Sequence, residues 1–319
     1  MAAPVIVRWI EDGRLHVGSA ADLDRAKAGG ETVWVDVREP DAEILAVLQK
    51  AFGLHPLAME DCTHFPQRVK IDLYPEAAFI VWVFPQPGPE DAFHAVEVDV
   101  FLGDRFLITS HREDVPVIDE VGADAADALA RGADWLLHQL LDRGVDRIFP
   151  LVDGLSDRLD DIENVLLDDP AQTDLQQLYA IKRSLVQLYR IVGGERDVLR
   201  SLSRRERLIS QDAYLYFQDV GDHLARVVDT IDTYRDVASG AMDIYLSAVN
   251  NRLNDVMKRL TVVATIFMPL TLISGIYGMN VTVGMWPPIT ERWSFWVVAG
   301  SMVAIVAGML TYFKRRHWW

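Results

Sequence analysis

Five aspartates near the middle of the chain have a spacing that could bring their carboxylates together. Asp222, Asp229, Asp236 and Asp243 recur every seven residues, and Asp219 precedes the first of them by three. On a helix, residues at this spacing share one face. We call the four heptad positions the acidic stripe. Such a stripe is typical of a solvated outer face, and it also suits a surface that attracts cations.

Towards the C-terminus, the same helical face continues into a segment without charges. Steps of three and four residues lead from Asn250 to the positions that we call the neutral row: Asn254, Met257, Thr261, Ala264, Met268, Thr271 and Gly275. Small residues in a membrane helix let backbones approach closely, so this row suits a helix-packing seam. Neutral oxygens that follow a set of acids equally suit the wall of a water-filled cation pore. Two membrane helices cannot enclose a pore by themselves, so the second interpretation requires an oligomer.

Two uncharged runs predict a pair of membrane helices. Residues 261–279 and 295–313 each contain 19 residues without a charge, and each would span about 28 Å as a helix, close to the thickness of a bilayer's hydrocarbon core. Two buried helices of a soluble core are the alternative, but such helices usually have shorter apolar runs. Basic residues lie before the first run and after the second, which predicts that both termini face the cytoplasm; they are Lys258, Arg259, Lys314, Arg315 and Arg316.

Charge and cysteine content exclude several classes of protein. The net charge is −16; it divides into +5 over residues 257–319 and −21 over the rest, and an acidic body of this kind repels nucleic acid. The single cysteine, Cys62, excludes a disulfide framework and a cysteine-based zinc cluster. The first 30 residues lack a basic stretch followed by an apolar one, so no cleavable signal peptide is expected.

The remaining patterns predict a mixed domain followed by long helices. Apolar β-rich runs occur at 5–10, 32–37, 77–84, 95–101 and 105–110, and a helix is predicted over 40–52, beginning at Pro40. A break at 167–174 reverses the chain between two helices, and the scarcity of glycine and proline after Ser210 predicts one helix that continues into the membrane. The predicted organisation is a cytosolic α/β domain (1–133), a cytosolic helical hairpin (134–209), a stalk helix (210–260), a first membrane helix (261–280), an extracytoplasmic loop (281–294), a second membrane helix (295–313) and a basic cytoplasmic tail (314–319).

The segment ATIFMPLTLISGIYGMN (264–280) resembles the signature of the CorA family of divalent-cation channels, including its Gly278-Met279-Asn280 motif. Further resemblance lies in FGLHPLAMEDC (52–62), in QRVKIDLY (67–74), in the helical hairpin and in the basic C-terminus, so it covers nearly the whole chain. It implies an α+β cytosolic domain with an α/β/α sandwich, a long stalk helix and two C-terminal membrane helices. It also implies a funnel-shaped homopentamer in the inner (plasma) membrane, in which the first membrane helix lines the pore and the second surrounds it.

The resemblance assigns roles to the outer end and the middle of this pore. Mg²⁺ sheds its waters reluctantly, so a ring of five Asn280 carbonyls would accept hydrogen bonds from the waters of a hydrated ion. Gly278 permits backbone conformations barred to other residues, and the segment around it must leave the helix while shaping the entrance of the pore. Met257 and Leu260 are the favoured apolar narrowings at which the pore could close by dewetting.

A cytosolic sensor is also implied by the resemblance. Family members bind divalent ions between neighbouring cytosolic domains, and the matching carboxylates here are Asp61, with Glu60 beside it, and Asp219. At high cytosolic Mg²⁺ the bound ions would hold the pentamer closed. The alternative for Glu60 and Asp61 is an acid pair at a helix end.

The expected function is influx of divalent cations driven by the membrane potential, with Mg²⁺ as the main cargo and regulator, Co²⁺ and Ni²⁺ as further candidates, and no organic cofactor. No energy-coupling motif competes with passive flow, because the chain has neither a GxxxxGK[ST] loop for ATP nor a GxSxG motif, and no enzyme is expected. The alternatives are a ZntB-like zinc transporter with proton coupling and, from another class, a two-helix membrane receptor. Val69 within QRVK and an outer loop, 281–293, without an MPEL segment depart from the family's usual pattern and leave the preferred ion open.

Overall fold

The computed structural model describes residues 5–88, 93–168, 175–205, 207–279, 284, 286–288, 291–316 and 318. Along the chain, one compact unit extends to Ala241 and a second begins at Met242. The first unit contains a mixed sheet and most of the helices, and the second consists mainly of two apolar helical segments.

The sheet of the first unit has seven strands in the order β2-β1-β3-β7-β6-β5-β4. Strands β3 and β7 are parallel, and all other neighbours are antiparallel. The strands are β1 (Val5–Glu11), β2 (Arg14–Gly18), β3 (Val33–Arg38), β4 (Lys70–Leu73), β5 (Ala77–Pro87), β6 (Phe93–Gly103) and β7 (Phe106–His111). The five predicted strands are confirmed, whereas β2 and β4 were not predicted. These two are short edge strands with partly exposed side chains, so neither has a strong apolar signal.

One face of the sheet is covered by α1 (Leu23–Ala28), α2 (Ala42–Phe52) and α3 (Pro56–Asp61). The core on this face combines the alternate valines of β3 with Ile44, Leu45 and Leu48 of α2. The prediction that this helix begins at Pro40 is wrong, because α2 begins at Ala42. Asp41 is its N-cap instead, since its carboxylate accepts a 2.8 Å hydrogen bond from the backbone N–H of Ile44.

The other face buries large side chains that alternate with the first set, among them Trp34, Trp82 and Leu102. Helices α4 and α6 pack here: an added Cβ at Gly122 would meet Arg8, and one at Gly144 would meet Phe84. The sheet therefore lies between two helical layers, which confirms the α/β/α sandwich. The helices that follow the sheet are α4 (Pro116–Ala123), α5 (Ala126–Arg131), α6 (Ala133–Asp146), α7 (Ile148–Asp168) and α8 (Leu175–Leu202).

Helix α9, Gln211–Tyr277, contains 67 residues and is unbroken, as predicted. Its first turns bury Phe217, Val220 and Leu224 at helical spacing within the first unit. Helix α10, Arg292–Arg315, includes the second predicted membrane segment and extends beyond it at both ends. Within the described residues, α9 and α10 are the two helices that are long and apolar enough to cross a membrane, and only 6% of the apolar window of each is buried.

Candidate cation pathway and candidate metal cluster

All residues of the neutral row are exposed in the single chain. Leu260, the second proposed narrowing, is 61% exposed, and Met268 is 72% exposed. A partly covered face lies beside this row on the same helix; it includes Val262, Ile266, Pro269 and Ile273. No described part of the chain therefore covers the neutral row, which stays accessible to lipid, to solvent or to another subunit.

Threonine hydroxyls on the neutral row retain acceptor capacity. Thr261 Oγ1 donates to the carbonyl of Met257 at 2.8 Å, and Thr271 Oγ1 donates to the carbonyl of Phe267 at 2.9 Å. Each hydroxyl proton is therefore used inside the helix, while lone pairs of the oxygen remain free to accept. Such oxygens can bind the waters of a hydrated cation.

At the C-terminal end of α9, Gly278 does not use the left-handed backbone conformation that glycine permits. The N–H of Gly278 donates to the carbonyl of Ser274 at 2.9 Å, and its φ is not in the left-handed region. A Cβ at this position would instead lie 3.1 Å from the Ser274 oxygen. A side chain at this position would therefore be in tight contact with the end of the helix.

Of the Gly278-Met279-Asn280 motif, Gly278 and Met279 are described and exposed, and Asn280 lies outside the described residues. The side chain of Tyr277 donates from its hydroxyl to the carbonyl of Trp286 at 2.9 Å. This contact connects the helix end to the loop that follows it.

The acidic stripe lies on the solvent side of α9. All four of its carboxylates are exposed, and none forms an ion pair with another described residue. The opposite side of the helix carries the buried residues Val227, Val228 and Ile231. The stripe therefore presents four carboxylates that have no ion-pair partner among the described residues.

Asp142, Asp219 and His223 form a cluster that could hold a metal ion. Each offers one ligand atom, and these atoms lie within 4.8 Å of one another. Asp219 and His223 are one helical turn apart on α9, with His223 Nε2 3.8 Å from Asp219 Oδ2, while Asp142 belongs to α6. We call these three residues the metal cluster. Within the described residues it is the one such group of three or more.

Burial raises the pKa of Asp142, and repulsion from Asp146 adds to this effect. Burial lowers the pKa of the adjacent His138, although Asp142 and Asp219 oppose the change. A bound divalent cation would relieve the repulsion among these carboxylates. Two carboxylates suit Mg²⁺, whereas the imidazole adds a ligand that Co²⁺, Ni²⁺ and Zn²⁺ prefer.

Comparison with known proteins gives the family. A family model described as CorA-like Mg²⁺ transporter protein matches residues 29–315. The chain belongs to this family. It is 37% identical over 273 residues to the cobalt/magnesium transport protein CorA of Thermotoga maritima, covering 84% of this chain and 77% of that protein.

Solved structures of CorA-like proteins share the fold. The complete CorA magnesium transporter of Methanocaldococcus jannaschii superposes with a TM-score of 0.84 at 24% identity, covering 100% of both chains. The full-length CmaX protein superposes with a TM-score of 0.78 at 20% identity, covering 99% of this chain and 97% of that one. These matches confirm the predicted combination of an α/β domain, a long helix and a C-terminal apolar helix.

In this CorA-like chain, Glu60 and Asp61 end helix α3, whereas Asp219 lies on α9. Asp61 is half-buried and its Oδ2 lies 2.5 Å from Lys70 Nζ, while Glu60 is exposed. The metal cluster contains Asp219 but neither of these acids. Sequence analysis did not identify Asp142 or His223. The spacing of Asp219 and His223, four residues on one helix, was a usable signal for His223.

Proposed function

We propose that the chain is a membrane transporter of divalent cations, with Mg²⁺ as its main cargo and Co²⁺ and Ni²⁺ as further cargoes. The observation that carries this proposal is the arrangement along α9, where exposed acids are followed by exposed neutral residues and then by Gly278 and Met279 of the family's motif. Membership of the CorA-like family supports it. Related proteins bear the names of magnesium and cobalt transporters, so catalysis is no part of the proposal.

The transport unit is a homopentamer in which α9 of each subunit faces the central axis. The exposed neutral row supports this arrangement, because each subunit would then contribute one strip of the pore wall. Met257 and Leu260 form the apolar narrowing, while Asn254, Thr261 and Thr271 supply neutral oxygens. Helix α10 lies outside this ring. The protein lies in the plasma membrane, with both termini in the cytoplasm.

Selection occurs at the Gly278-Met279-Asn280 motif. A ring of carboxylates there would hold a doubly charged ion tightly, whereas Asn280 amide carbonyls accept hydrogen bonds from the ion's waters and release it more readily. The acidic stripe attracts cations at the other end of the pathway. Inward movement of a divalent ion gains about 4.6 kcal/mol per 100 mV of inside-negative potential, so no other energy source is needed.

Cytosolic Mg²⁺ closes the pathway by binding to the metal cluster and to Asp61, with Glu60 beside it. Bound ions would offset the repulsion between carboxylates and favour the closed arrangement, and loss of the ions would favour the open one. The exposure of Asp219 within the metal cluster supports this role, since an ion can reach it from solvent.

Mg²⁺ entry into liposomes that contain the purified protein tests the proposal. An internal indicator reports entry under an inside-negative potential, with and without a pH gradient, and empty liposomes are the control. Entry driven by voltage at equal pH is expected. Entry that requires a proton gradient would favour the ZntB-like alternative, and no entry of any divalent ion would favour a non-conducting receptor.

A further inference from the structure

A cavity of about 480 Å³ lies between the C-terminal turns of α8 and the first turns of α9, entirely within the first unit. Its α8 side carries Arg196, Arg200 and Arg204, spaced four residues apart. An adjoining cavity of about 440 Å³ shares Arg200 and Arg204 and adds Arg205. Volumes of this size are typical of small-molecule sites.

These arginines are poorly neutralised. Among the described residues, the one ion pair that they form joins Arg200 Nη1 to Asp197 Oδ1 at 3.8 Å, with both side chains mostly exposed. Arg196 Nε is buried and has no hydrogen-bond acceptor in the described part of the chain. Cations are favoured in the last turn of a helix, but Arg196 lies before the last turn of α8. The two adjoining cavities are thus lined by four arginines in a chain whose net charge is −16.

The other wall carries complementary groups. Tyr214, Gln218 and Asp222 line the cavity from α9. Guanidinium groups bind phosphate oxygens in a bidentate manner, which distinguishes arginine from lysine. A phosphate placed beside Asp222 would be repelled unless a cation lay between them, and Mg²⁺ is commonly bound by one or two carboxylates together with phosphate oxygens.

We propose that this cavity binds the Mg²⁺ complex of a nucleoside triphosphate. The phosphate chain lies against Arg196, Arg200 and Arg204, and Mg²⁺ bridges the chain to Asp222. The ring system of the nucleoside packs against Tyr214, which is partly exposed. Binding at this site does not depend on transport.

Calorimetric titration of the full-length protein in detergent tests the proposal. ATP, inorganic tripolyphosphate and adenosine are the probes, each at a fixed free Mg²⁺ concentration and again with chelator. Saturable binding of ATP that weakens without Mg²⁺ is expected. If adenosine binds as tightly as ATP, the proposed role of the phosphate chain is overturned. If tripolyphosphate binds as tightly as ATP, the proposed role of the nucleoside is overturned.

Variants identify the residues responsible. The double variant Arg200→Gln/Arg204→Gln should weaken ATP binding by about tenfold or more, because each charged hydrogen bond contributes strongly. Arg207→Gln, which removes one positive charge outside both cavities, should leave binding unchanged. Asp222→Asn should remove the dependence on Mg²⁺.

Unchanged ATP binding in the double variant, or no saturable binding to the wild type, would overturn the proposal. Dissociation of the oligomer in the double variant, measured by light scattering, would also overturn it, because the arginines would then bind carboxylates of a second copy. Cation flux measured on the same preparations keeps this result separate from the transport function.

Discussion

Lys70 Nζ lies 2.5 Å from Asp61 Oδ2 and 3.1 Å from Asp72 Oδ2. Although burial opposes the change, hydrogen bonds to Asp61 and Asp72 raise the pKa of Lys70, so its ammonium group stays charged. The carboxylate proposed as part of the cation sensor is therefore already paired with a cation of its own chain. A divalent ion that binds Asp61 must compete with Lys70.

Lys70→Met should make the transporter more sensitive to inhibition by cytosolic Mg²⁺. Removal of the competing ammonium group frees Asp61, and an ion pair that is partly exposed is worth up to about 1 kcal/mol, so the half-inhibitory Mg²⁺ concentration should fall by about threefold. Flux from liposomes with different internal Mg²⁺ concentrations measures this change. Lys50→Met, at an exposed site on α2, is the matched control. A half-inhibitory concentration that is unchanged or higher in Lys70→Met would contradict the assignment of Asp61.

Asp219→Asn should weaken inhibition by internal Mg²⁺. It removes one carboxylate of the metal cluster while keeping the size of the side chain, and loss of a ligand should raise the half-inhibitory concentration on the order of tenfold. Asp236→Asn, on the acidic stripe outside the cluster, makes the same change and should have little effect on inhibition. Equal effects of the two substitutions would show that general charge, rather than the cluster, sets the response.

His223→Gln should change inhibition by some divalent ions more than inhibition by others. Imidazole is a stronger ligand for Co²⁺ and Ni²⁺ than for Mg²⁺, so inhibition by internal Co²⁺ and Ni²⁺ should weaken more than inhibition by Mg²⁺. Dose–response curves for the three ions on one preparation measure the difference. The same shift for all three ions would exclude His223 as a metal ligand.

Stability of the first unit should fall as pH rises, because of the buried acid Asp99. Burial, followed by repulsion from Glu97, raises the pKa of Asp99 from 3.8 to about 7. Below its ordinary pKa, Asp99 is protonated in both the folded and the unfolded state, so it does not lower the free energy of unfolding. Between the two values only the unfolded state loses the proton, so the free energy of unfolding decreases with pH, by up to about 4 kcal/mol.

Asp99→Asn should therefore flatten the loss of stability between pH 4 and pH 7, since the amide imitates the neutral acid. Thermal denaturation of the detergent-solubilised protein at several pH values measures this. Although burial opposes the change, a hydrogen bond to Asp36 raises the pKa of His111 above its ordinary value of 6.5, so His111 loses stabilisation only as pH rises above that value, and a residual slope is expected there. Asp104→Asn, at an exposed turn, is the control. A pH profile identical to that of the wild type would contradict the role of Asp99.

Periodicity and the absence of charge are local properties of a sequence, which is why α9, the two apolar segments and five strands could be predicted. The metal cluster could not be predicted in full, because Asp142 meets Asp219 only when α6 packs beside α9. The partner of Asp61 was missed for a similar reason, since Lys70 reaches it from strand β4. The crowding at Gly278 arises from the carbonyl of Ser274, whereas the sequence shows only that a glycine stands at the end of the helix.

Asn280→Ala should abolish cation flux while leaving the oligomer intact. Methyl groups cannot accept hydrogen bonds from the waters of Mg²⁺, and the ion gives up those waters reluctantly, so flux should fall by about tenfold or more. Liposome flux measures transport, and light scattering in detergent measures the size of the assembly. Asn251→Ala removes the same side chain from an exposed site off the neutral row and should keep its flux. Normal flux through Asn280→Ala would exclude the proposed ring of carbonyls, whereas loss of both flux and assembly would assign Asn280 to the structure of the oligomer instead.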